Sequence, residues 1–303
     1  MLALFSLACP VLAQQKSPPP DPLAQSVEQW LQDNLDDDVL EALSQIDQGR
    51  VRAFFTELQR RFAGTSVYDL GSLKETADRL LPLLEQFEET QPYAVWLQTH
   101  LDYLDTAEQL RRQAKPTPKP GTPVPLPSPS LPVQRTIWTR QLERRPLPPL
   151  AQNYLPRLKQ IFIAERVPPE LAWVAEVESS FHPEARSPAG AAGLFQLMPA
   201  TARTLNLSAW PRDERLEPEK SARAAAKYLR SLHGHYGDWR LTLAAYNAGG
   251  TRVDHLLKQS PAHTFDAISA RLPAETQMYV PKVEATLRKR EGVALTDLRM
   301  PKG

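Results

Sequence analysis

Apolar side chains recur at steps of three and four residues along most of the chain, which is the spacing of one face of an α-helix. Beyond residue 150 no segment alternates apolar and polar residues convincingly enough to predict a β-strand. We therefore predict an all-α protein with a small helical bundle before residue 115. The clearest repeats of that bundle are Val27, Trp30, Leu31, then Val39, Leu43, Ile46, then Leu73, Ala77, Leu80, Leu81, Leu84, then Tyr93, Leu97, Leu101, Leu104, Leu110.

Charge and proline content divide the chain into segments. Residues 14–114 contain 9 Lys+Arg and 18 Asp+Glu, whereas residues 150–303 contain 21 Lys+Arg and 16 Asp+Glu. Between them, the 17 residues from Pro116 to Pro132 include 8 prolines. Proline lacks a backbone N–H, so we expect this run to form an extended spacer of the polyproline II type. The sequence thus predicts an acidic helical module (14–114), a Pro-rich linker (115–149) and a mildly cationic domain (150–303).

The first residues have the pattern of a secretion signal. Residues 1–13 form a short apolar run with small residues at Val11 and Ala13, the positions that signal peptidases prefer. We expect cleavage after Ala13 and a location in the periplasm or cell envelope. Lipid attachment at Cys9 is the less favoured alternative because Pro10 follows it directly. No later apolar run reaches the roughly 18 residues that span a bilayer.

Composition excludes several classes of function. The 303 residues carry a net charge of +1, which argues against a dedicated nucleic-acid-binding protein. A single cysteine excludes a disulfide framework and a cysteine-based zinc site. His233, His235 and Asp238 could imitate a metal site, but a polar turn beside glycine is typical of a solvated helix end. We therefore expect no metal site.

Glu178 is a candidate general acid because of its position in the sequence. A helix that begins near Pro168 places Leu171, Val174, Ala175 and Glu178 on one stripe, so a carboxyl group would lie on the apolar side. Burial disfavours the charged form, and a raised pKa is what a general acid requires. A structural carboxylate that caps the helix or pairs with an arginine is the alternative. Glu176 lies about 200° away on the helical wheel, so we expect it to face elsewhere and to be replaceable at little cost.

The segment from Ser187 to Pro199 contains Pro188, Gly190 and Gly193. Glycine permits close approach of one backbone to another group. This pattern predicts a loop that comes very close to a neighbouring element before the next helix begins.

Four motifs in this half of the chain resemble, in order, those of the family 1 lytic transglycosylases. They are the Glu178–Ser179 pair, GLFQLMP at 193–199, AYNAG at 245–249 and ETQMYV at 275–280. The run PAETQMYVPK at 273–282 is similar to the D-type subgroup of that family. The resemblance implies a lysozyme-like (goose-type, SLT) catalytic domain within residues 150–303, and it says nothing about residues 14–149.

The resemblance also implies roles for particular side chains. It makes Glu178 the catalytic acid and base, with Tyr246 and Asn247 beside it and the Tyr246 hydroxyl able to orient it. Glu275 is expected to hold structure rather than to react. The residues expected to contact the glycan are Ser187, Gln196, Met198, Tyr246, Asn247 and Tyr279, the last as a tyrosine that faces the cleft.

The reaction that the resemblance implies is cleavage of peptidoglycan between N-acetylmuramic acid and N-acetylglucosamine with closure of a 1,6-anhydro ring, without a cofactor. A goose-type muramidase that admits water and a catalytically silent wall-binding protein stay open as alternatives. For residues 14–114 we expect no binding to the wall, because peptide stems are also acidic. The acidic module would instead engage a protein partner or dock on its own cationic domain, and residues 150–303 should fold and act alone.

Overall fold

The structure, a computed structural model, describes residues 48–114 and 128–301. The secretion signal and the run of prolines up to residue 127 lie outside these residues. Within the described ranges the chain forms α-helices and short 3-10 turns with no β-strand, which confirms the predicted all-α class. The α-helices are α1 Gln48–Ala63, α2 Lys74–Leu84, α3 Gln91–Gln113, α4 Leu131–Glu143, α5 Ala151–Ala164, α6 Val174–Ser179, α7 Pro199–Thr204, α8 Pro218–Tyr236, α9 Trp239–Ala248, α10 Gly250–Lys258, α11 Phe265–Ile268 and α12 Ala274–Glu291.

Short 3-10 helices join several of these elements. Pro169–Trp173 leads directly into α6, so the helix predicted to begin near Pro168 is a 3-10 turn followed by a short α-helix. The other 3-10 helices are Val67–Leu73, Glu88–Thr90, Glu214–Leu216, Ser269–Arg271 and Leu295–Asp297. Across the described residues, none of the helices combines the length and the apolar character that a bilayer span requires.

Local signals fix the helices that carry the later motifs. Helix α8 ends at Gly237, whose φ of 66° lies in the left-handed region that favours glycine. The next residue, Asp238, caps the start of α9 by accepting a hydrogen bond from the backbone N–H of Leu241 at 2.9 Å. The chain therefore turns sharply between two helices and directs α9, which carries Tyr246, back into the domain.

Two hydrophobic clusters hold the fold together. The larger lies within the C-terminal part and is built around α5, α6, α8, α9 and one face of α12. The second cluster combines α1, α2 and α3 with residues from later in the chain. Those later residues are Ile137, Trp138 and Leu142 of α4 and Ala274, Met278 and Ala285 of α12.

Helix α4 lies within residues 115–149, the segment predicted to be a Pro-rich linker, and it begins at the end of the run predicted to be extended. Pro132 stands at the first turn of α4, where the missing N–H costs nothing, and the run of prolines ends there. Ile137, Trp138 and Leu142 then repeat at helical spacing, and Trp138 is 0% exposed. The linker prediction was wrong for this helix because the linker boundary was drawn past Pro132, where the apolar pattern had already become helical.

Residues 48–114, called the N-terminal unit below, pack directly on the C-terminal part. The backbone N–H of Ala274 donates to Gly64 O at 2.6 Å, and the side-chain amide of Gln277 donates to Thr65 O at 2.8 Å. The acidic module was expected either to engage a protein partner or to dock on the chain's own cationic domain. Residues 48–114 dock on the chain's own domain. A fragment of residues 150–303 would lose α4 and expose the apolar face of α12, so we no longer expect it to fold and act alone.

A buried ion pair lies at the centre of this docking surface. Lys282 on α12 is 0% exposed, and its Nζ lies 3.0 Å from the carboxylate of Asp102 on α3. Arg145 reaches the same carboxylate at 2.5 Å. The Lys282 ammonium also lies 4.3 Å from the centre of the Tyr103 ring, close enough for a cation–π interaction. Burial lowers the pKa of Lys282, with the charge of Arg145 adding to the shift and Asp102 opposing it. Burial alone would raise the pKa of Asp102, but the charges of Lys282 and Arg145 lower it.

We predict that Asp102→Ala destabilises the protein strongly, because it leaves the Lys282 ammonium buried without its main anionic partner. The loss in free energy of unfolding should be about 3–5 kcal/mol, measured by chemical denaturation. Asp105→Ala is the matched control, since Asp105 on the same helix pairs with Lys74 at a partly exposed site and should cost less than about 1 kcal/mol. Equal losses for the two variants would contradict the role given to the buried pair.

Candidate functional site

A cleft of about 270 Å³ lies between the N-terminal unit and the C-terminal part, and Glu178 lines it. The walls come from α1 and α3 on one side and from the 187–199 segment, α9, α10 and α12 on the other. The lining residues are Gln59, Phe62, Ala63, Trp96, His100, Glu178, Ser187, Ala189, Ala191, Gln196, Met198, Tyr246, Asn247, Ala248, Arg252, Pro273, Glu275 and Thr276.

Glu178 sits near the end of α6, a helix of six residues whose side chains are all buried. The chain leaves this helix at Ser180 with a φ of 50°. Glu178 itself is 8% exposed. Burial raises the pKa of its carboxyl group to about 8; a hydrogen bond from Tyr279 opposes the rise, and nearby Glu275 adds to it. The group is therefore largely protonated at neutral pH, as the apolar stripe in the sequence predicted.

Glu176, two residues earlier, turns away from the cleft but is not a solvent-exposed carboxylate. It is 1% exposed and forms an ion pair with Arg290, with two contacts of 2.8 and 2.9 Å. We therefore expect replacement of Glu176 to destabilise the fold, because it would leave the Arg290 guanidinium without its carboxylate partner. The helical wheel gave the direction of the side chain correctly but could not show what packs against that face.

Two tyrosines approach the site, and they exchange the roles that the resemblance implied. The Tyr279 hydroxyl donates to Glu178 Oε1 at 2.6 Å. The Tyr246 hydroxyl instead donates to the backbone O of Phe195 at 2.7 Å. Tyr279 is 1% exposed and lies behind the carboxyl group rather than facing the cleft. The structure thus makes Tyr279 the group that orients Glu178, while Tyr246 lines the cleft and holds the 187–199 segment.

The glycines of the 187–199 segment permit the close approach that the sequence predicted. Gly193 has a φ of 82°, and a Cβ atom at this position would lie 1.9 Å from the backbone O of Arg215. Arg215 is buried and donates from Nη1 to Gly190 O at 2.7 Å and to Leu197 O at 2.9 Å. Its guanidinium also pairs with Asp213 at 2.8 Å. A single arginine therefore holds both ends of the segment, a role for which the sequence gave no distinctive signal.

The predicted contact residues of this segment all reach the cleft. Ser187 is buried, and its Oγ accepts from the N–H of Ala191 at 2.9 Å. Gln196 donates from Nε2 to Ala185 O and Gly193 O at 3.0 and 2.9 Å. Its Oε1 has no hydrogen-bond partner among the described residues. Met198 leaves 43% of its surface exposed, so it is not simple core packing.

Asn247 connects the cleft to a second carboxyl group. Its Nδ2 donates to Glu275 Oε1 at 3.1 Å, and its Oδ1 accepts from Thr276 Oγ1 at 2.6 Å. Burial raises the pKa of Glu275, against the hydrogen bond from Asn247 and the charge of Lys282. Glu275 is thus tied into the structure as expected, but it also lines the cleft with Glu178.

Sequence reasoning did not find the residues that the N-terminal unit contributes. Gln59, Phe62, Trp96 and His100 line the cleft although they lie far from the motifs. None of the four belongs to the apolar repeats or to the motifs that the sequence analysis used. Arg252, which follows the AYNAG motif and lies at the exposed edge of the cleft, carried no signal beyond its position.

His233, His235 and Asp238 occupy a helix end, as predicted, and each has a separate structural contact. The ring of His233 stacks on Trp239 with centroids 3.8 Å apart. His235 contacts Asp254 at 3.0 Å, and Asp238 caps α9. Over residues 48–114 and 128–301, no three His, Cys, Asp or Glu side chains converge in a way that could hold a metal ion.

Comparison with known proteins assigns the segment that contains this site. Residues 163–268 match the family model described as the Transglycosylase SLT domain. The chain is 41% identical over 123 residues to the membrane-bound lytic murein transglycosylase D of Escherichia coli (strain K12), a match that covers 39% of this chain and 27% of that relative. The family match and this relative confirm the resemblance drawn from the motifs.

A second relative is the soluble lytic murein transglycosylase of Escherichia coli (strain K12). It is 36% identical over 169 residues, which cover 51% of this chain and 25% of the relative. The chain thus spans about a quarter of the length of these two relatives. The solved structure of the 70 kDa soluble lytic transglycosylase SLT70 from Escherichia coli aligns with 91% of this chain and 50% of its own, at 21% identity and a TM-score of 0.42.

The buried carboxyl group of Glu178 predicts a pH-dependent penalty on stability. Its folded pKa of about 8 exceeds the ordinary value of 4.5, so between these pH values the folded state keeps a proton that the unfolded state releases. Stability should therefore fall as pH rises through this range, by up to about 1.4 kcal/mol per pH unit. Glu178→Gln removes this titration. The melting temperature of the variant minus that of the unaltered protein should therefore increase from pH 5 to pH 8. Glu184→Gln at an exposed site is the control, and a constant difference for Glu178→Gln would refute the raised pKa.

Proposed function

We propose that the protein is a peptidoglycan lytic transglycosylase that cleaves the bond between N-acetylmuramic acid and N-acetylglucosamine. The observation that carries the proposal is the carboxyl group of Glu178, which lines a cleft and whose pKa burial raises to about 8. At neutral pH such a group can donate a proton to a leaving oxygen. The SLT domain at residues 163–268 supports the same reaction class.

In the first step, the protonated carboxyl group of Glu178 donates its proton to the glycosidic oxygen while the bond from the muramic acid C1 to that oxygen breaks. The electron pair of the broken bond stays on the departing oxygen, which leaves as a hydroxyl group on N-acetylglucosamine. Glu178 is now a carboxylate, and the hydrogen bond from Tyr279 stabilises this charged form. The same bond holds the carboxylate in place for the second step.

In the second step, the Glu178 carboxylate removes the proton from the C6 hydroxyl of the muramic acid, and the C6 oxygen forms a bond to C1. This closes a 1,6-anhydro ring and returns Glu178 to its protonated form. Between the two steps C1 is electron-deficient, and the acetamido oxygen of the same sugar stabilises this positive charge until the C6 oxygen supplies its electron pair to C1. No water is consumed, and the reaction as written uses no metal or cofactor.

The glycan would lie along the cleft, in contact with the side chains that reach it from the 187–199 segment and from α9. Gln196 supplies an acceptor, Oε1, that no described residue satisfies, and exposed Met198 supplies an apolar contact. Ser187 and Asn247 complete the polar lining. Tyr246 lies at the wall, where it supports this segment, and Tyr279 acts through Glu178. Such a reaction places the protein at the cell envelope, where peptidoglycan is found.

Hydrolysis of the same bond is the second candidate, and one observation favours it. Glu275 is a second carboxyl group in the cleft with Glu178, and hydrolytic glycosidases use two carboxyl groups. Its hydrogen bond to Asn247 and its raised pKa argue against a free carboxylate that could activate water. The two reactions give different products, because the anhydro product is lighter than the hydrolysed product by one water.

We predict that Glu178→Gln lowers cleavage of purified peptidoglycan by about 10²- to 10⁴-fold, because glutamine keeps the shape of the side chain but carries no transferable proton. Mass analysis of the products released by the unaltered protein should show anhydro ends. Glu184→Gln, an exposed substitution near the same segment, should keep normal activity. Normal activity of Glu178→Gln would refute the assignment of Glu178 as the acid. Product ends that carry an added water would show that the protein is a muramidase and not a transglycosylase.

We predict that Tyr279→Phe lowers turnover by about tenfold, an effect of about 1.4 kcal/mol on the barrier, with little change in KM. The lost hydrogen bond oriented Glu178 and stabilised its carboxylate, so the pKa of Glu178 should rise and the alkaline limit of activity should move to higher pH. Tyr246→Phe keeps the Tyr279 contact and should leave that limit in place. A pH profile for each variant makes the comparison, and an equal shift in both would contradict the assignment.

A further inference from the structure

The N-terminal unit contributes a histidine to the cleft that the proposed reaction does not use. His100 on α3 lines the cleft and is 4% exposed. It lies in the N-terminal unit, outside residues 163–268, so the SLT domain does not account for it.

The hydrogen bonds of His100 define its tautomer. Nδ1 lies 2.8 Å from the backbone O of Trp96, one turn earlier in the same helix. A carbonyl oxygen can only accept, so Nδ1 carries the proton. Burial and the charge of Lys282 lower the pKa of His100 to about 3, so the ring is neutral at working pH. Nε2 therefore has a free lone pair and can act only as an acceptor.

The packing around His100 leaves only the edge of the ring for a ligand. Trp96 stacks on the imidazole at a centroid distance of 4.2 Å, and Tyr103 stacks at 5.5 Å. These residues lie four positions before and three positions after His100 on α3, so they cover the ring from opposite sides. Phe62 meets it edge-on at 6.2 Å. No hydrogen bond to Nε2 is present among the described residues, so this acceptor at the edge of the ring is open to a ligand in the cleft.

A second polar group on the same wall also lacks a partner. Nε2 of Gln59 on α1 is buried without an acceptor among the described residues, and Gln59 lines the cleft together with His100. The wall of the N-terminal unit thus combines an unused acceptor, an unused donor and the apolar ring of Phe62. A sugar ring offers the matching set, since its hydroxyl and amide N–H groups donate, its acetamido oxygen accepts, and its C–H face is apolar.

We propose that His100, supported by Gln59, forms a saccharide subsite through which the N-terminal unit binds the glycan opposite the SLT domain. In this subsite His100 Nε2 accepts a hydrogen bond from a sugar hydroxyl or N–H group. The inference rests on the proposed function for the identity of the ligand. It makes the N-terminal unit part of the substrate-binding site and not only a structural support.

The test compares two substitutions of His100 in the full chain. In His100→Asn, the side-chain amide can still donate to Trp96 O, as Nδ1 does, but it cannot reach the position of Nε2. In His100→Gln, the amide oxygen can replace the Nε2 acceptor. Exposed His263→Asn is the control for loss of a histidine. Binding of an N-acetylglucosamine tetramer is measured in the non-cleaving Glu178→Gln background, and KM and kcat on purified peptidoglycan are measured in the otherwise unaltered protein.

We expect His100→Asn to weaken tetramer binding and raise KM by about 5- to 10-fold, the effect of one neutral hydrogen bond, with a smaller change in kcat. His100→Gln should restore most of the loss, and His263→Asn should have no effect. Unchanged tetramer binding in His100→Asn would overturn the proposal. It would also be overturned if both His100 variants lost tetramer binding equally and showed an equal fall in melting temperature. If the unaltered protein cleaves peptidoglycan, such a result leaves the proposed function intact. If the unaltered protein neither cleaves it nor binds the tetramer, the proposed function fails and the subsite fails with it.

Discussion

Lys282 has no exposed surface, and an ammonium group removed from water requires compensation that only nearby charge and polarity can give. Here Asp102, on a helix 180 positions earlier in the chain, provides the carboxylate. The electrostatic requirement of one side chain in the C-terminal part therefore fixes where the N-terminal unit sits. Once α3 is held against α12 in this way, the cleft has two walls, and Tyr279, one turn before Lys282, is held against Glu178.

The sequence predicted the elements near the motifs well because local rules govern them. Glu178 followed from an apolar stripe, and the glycines of the 187–199 segment followed from the need for close approach. The docking of the N-terminal unit could not be predicted, because α3 shows the same apolar spacing whether its partner is its own bundle or a distant helix. The exchange of roles between Tyr246 and Tyr279 is similar. Both tyrosines stand in motifs, and only three-dimensional packing decides which hydroxyl reaches the carboxyl group.

Helix α4 illustrates a different kind of error. The linker prediction depended on average proline content, whereas the structure depends on where each proline stands. Pro132 at the first turn of a helix is compatible with the helix that follows, and the apolar positions after it decide the outcome. Glu176 shows the converse, since its direction was predicted correctly while its burial against Arg290 was not.

Helix α12 carries Glu275, Tyr279 and Lys282 at intervals of four and three residues, so all three lie on neighbouring parts of one face. One group lines the cleft, one orients the acid and one anchors the N-terminal unit. Insertion or deletion of a single residue inside this segment would rotate everything beyond it by about 100° and shift it by about 1.5 Å. The three tasks would then fall out of register together. The length of this segment is therefore more constrained than its composition, since a substitution can affect one task while a change in length affects them all.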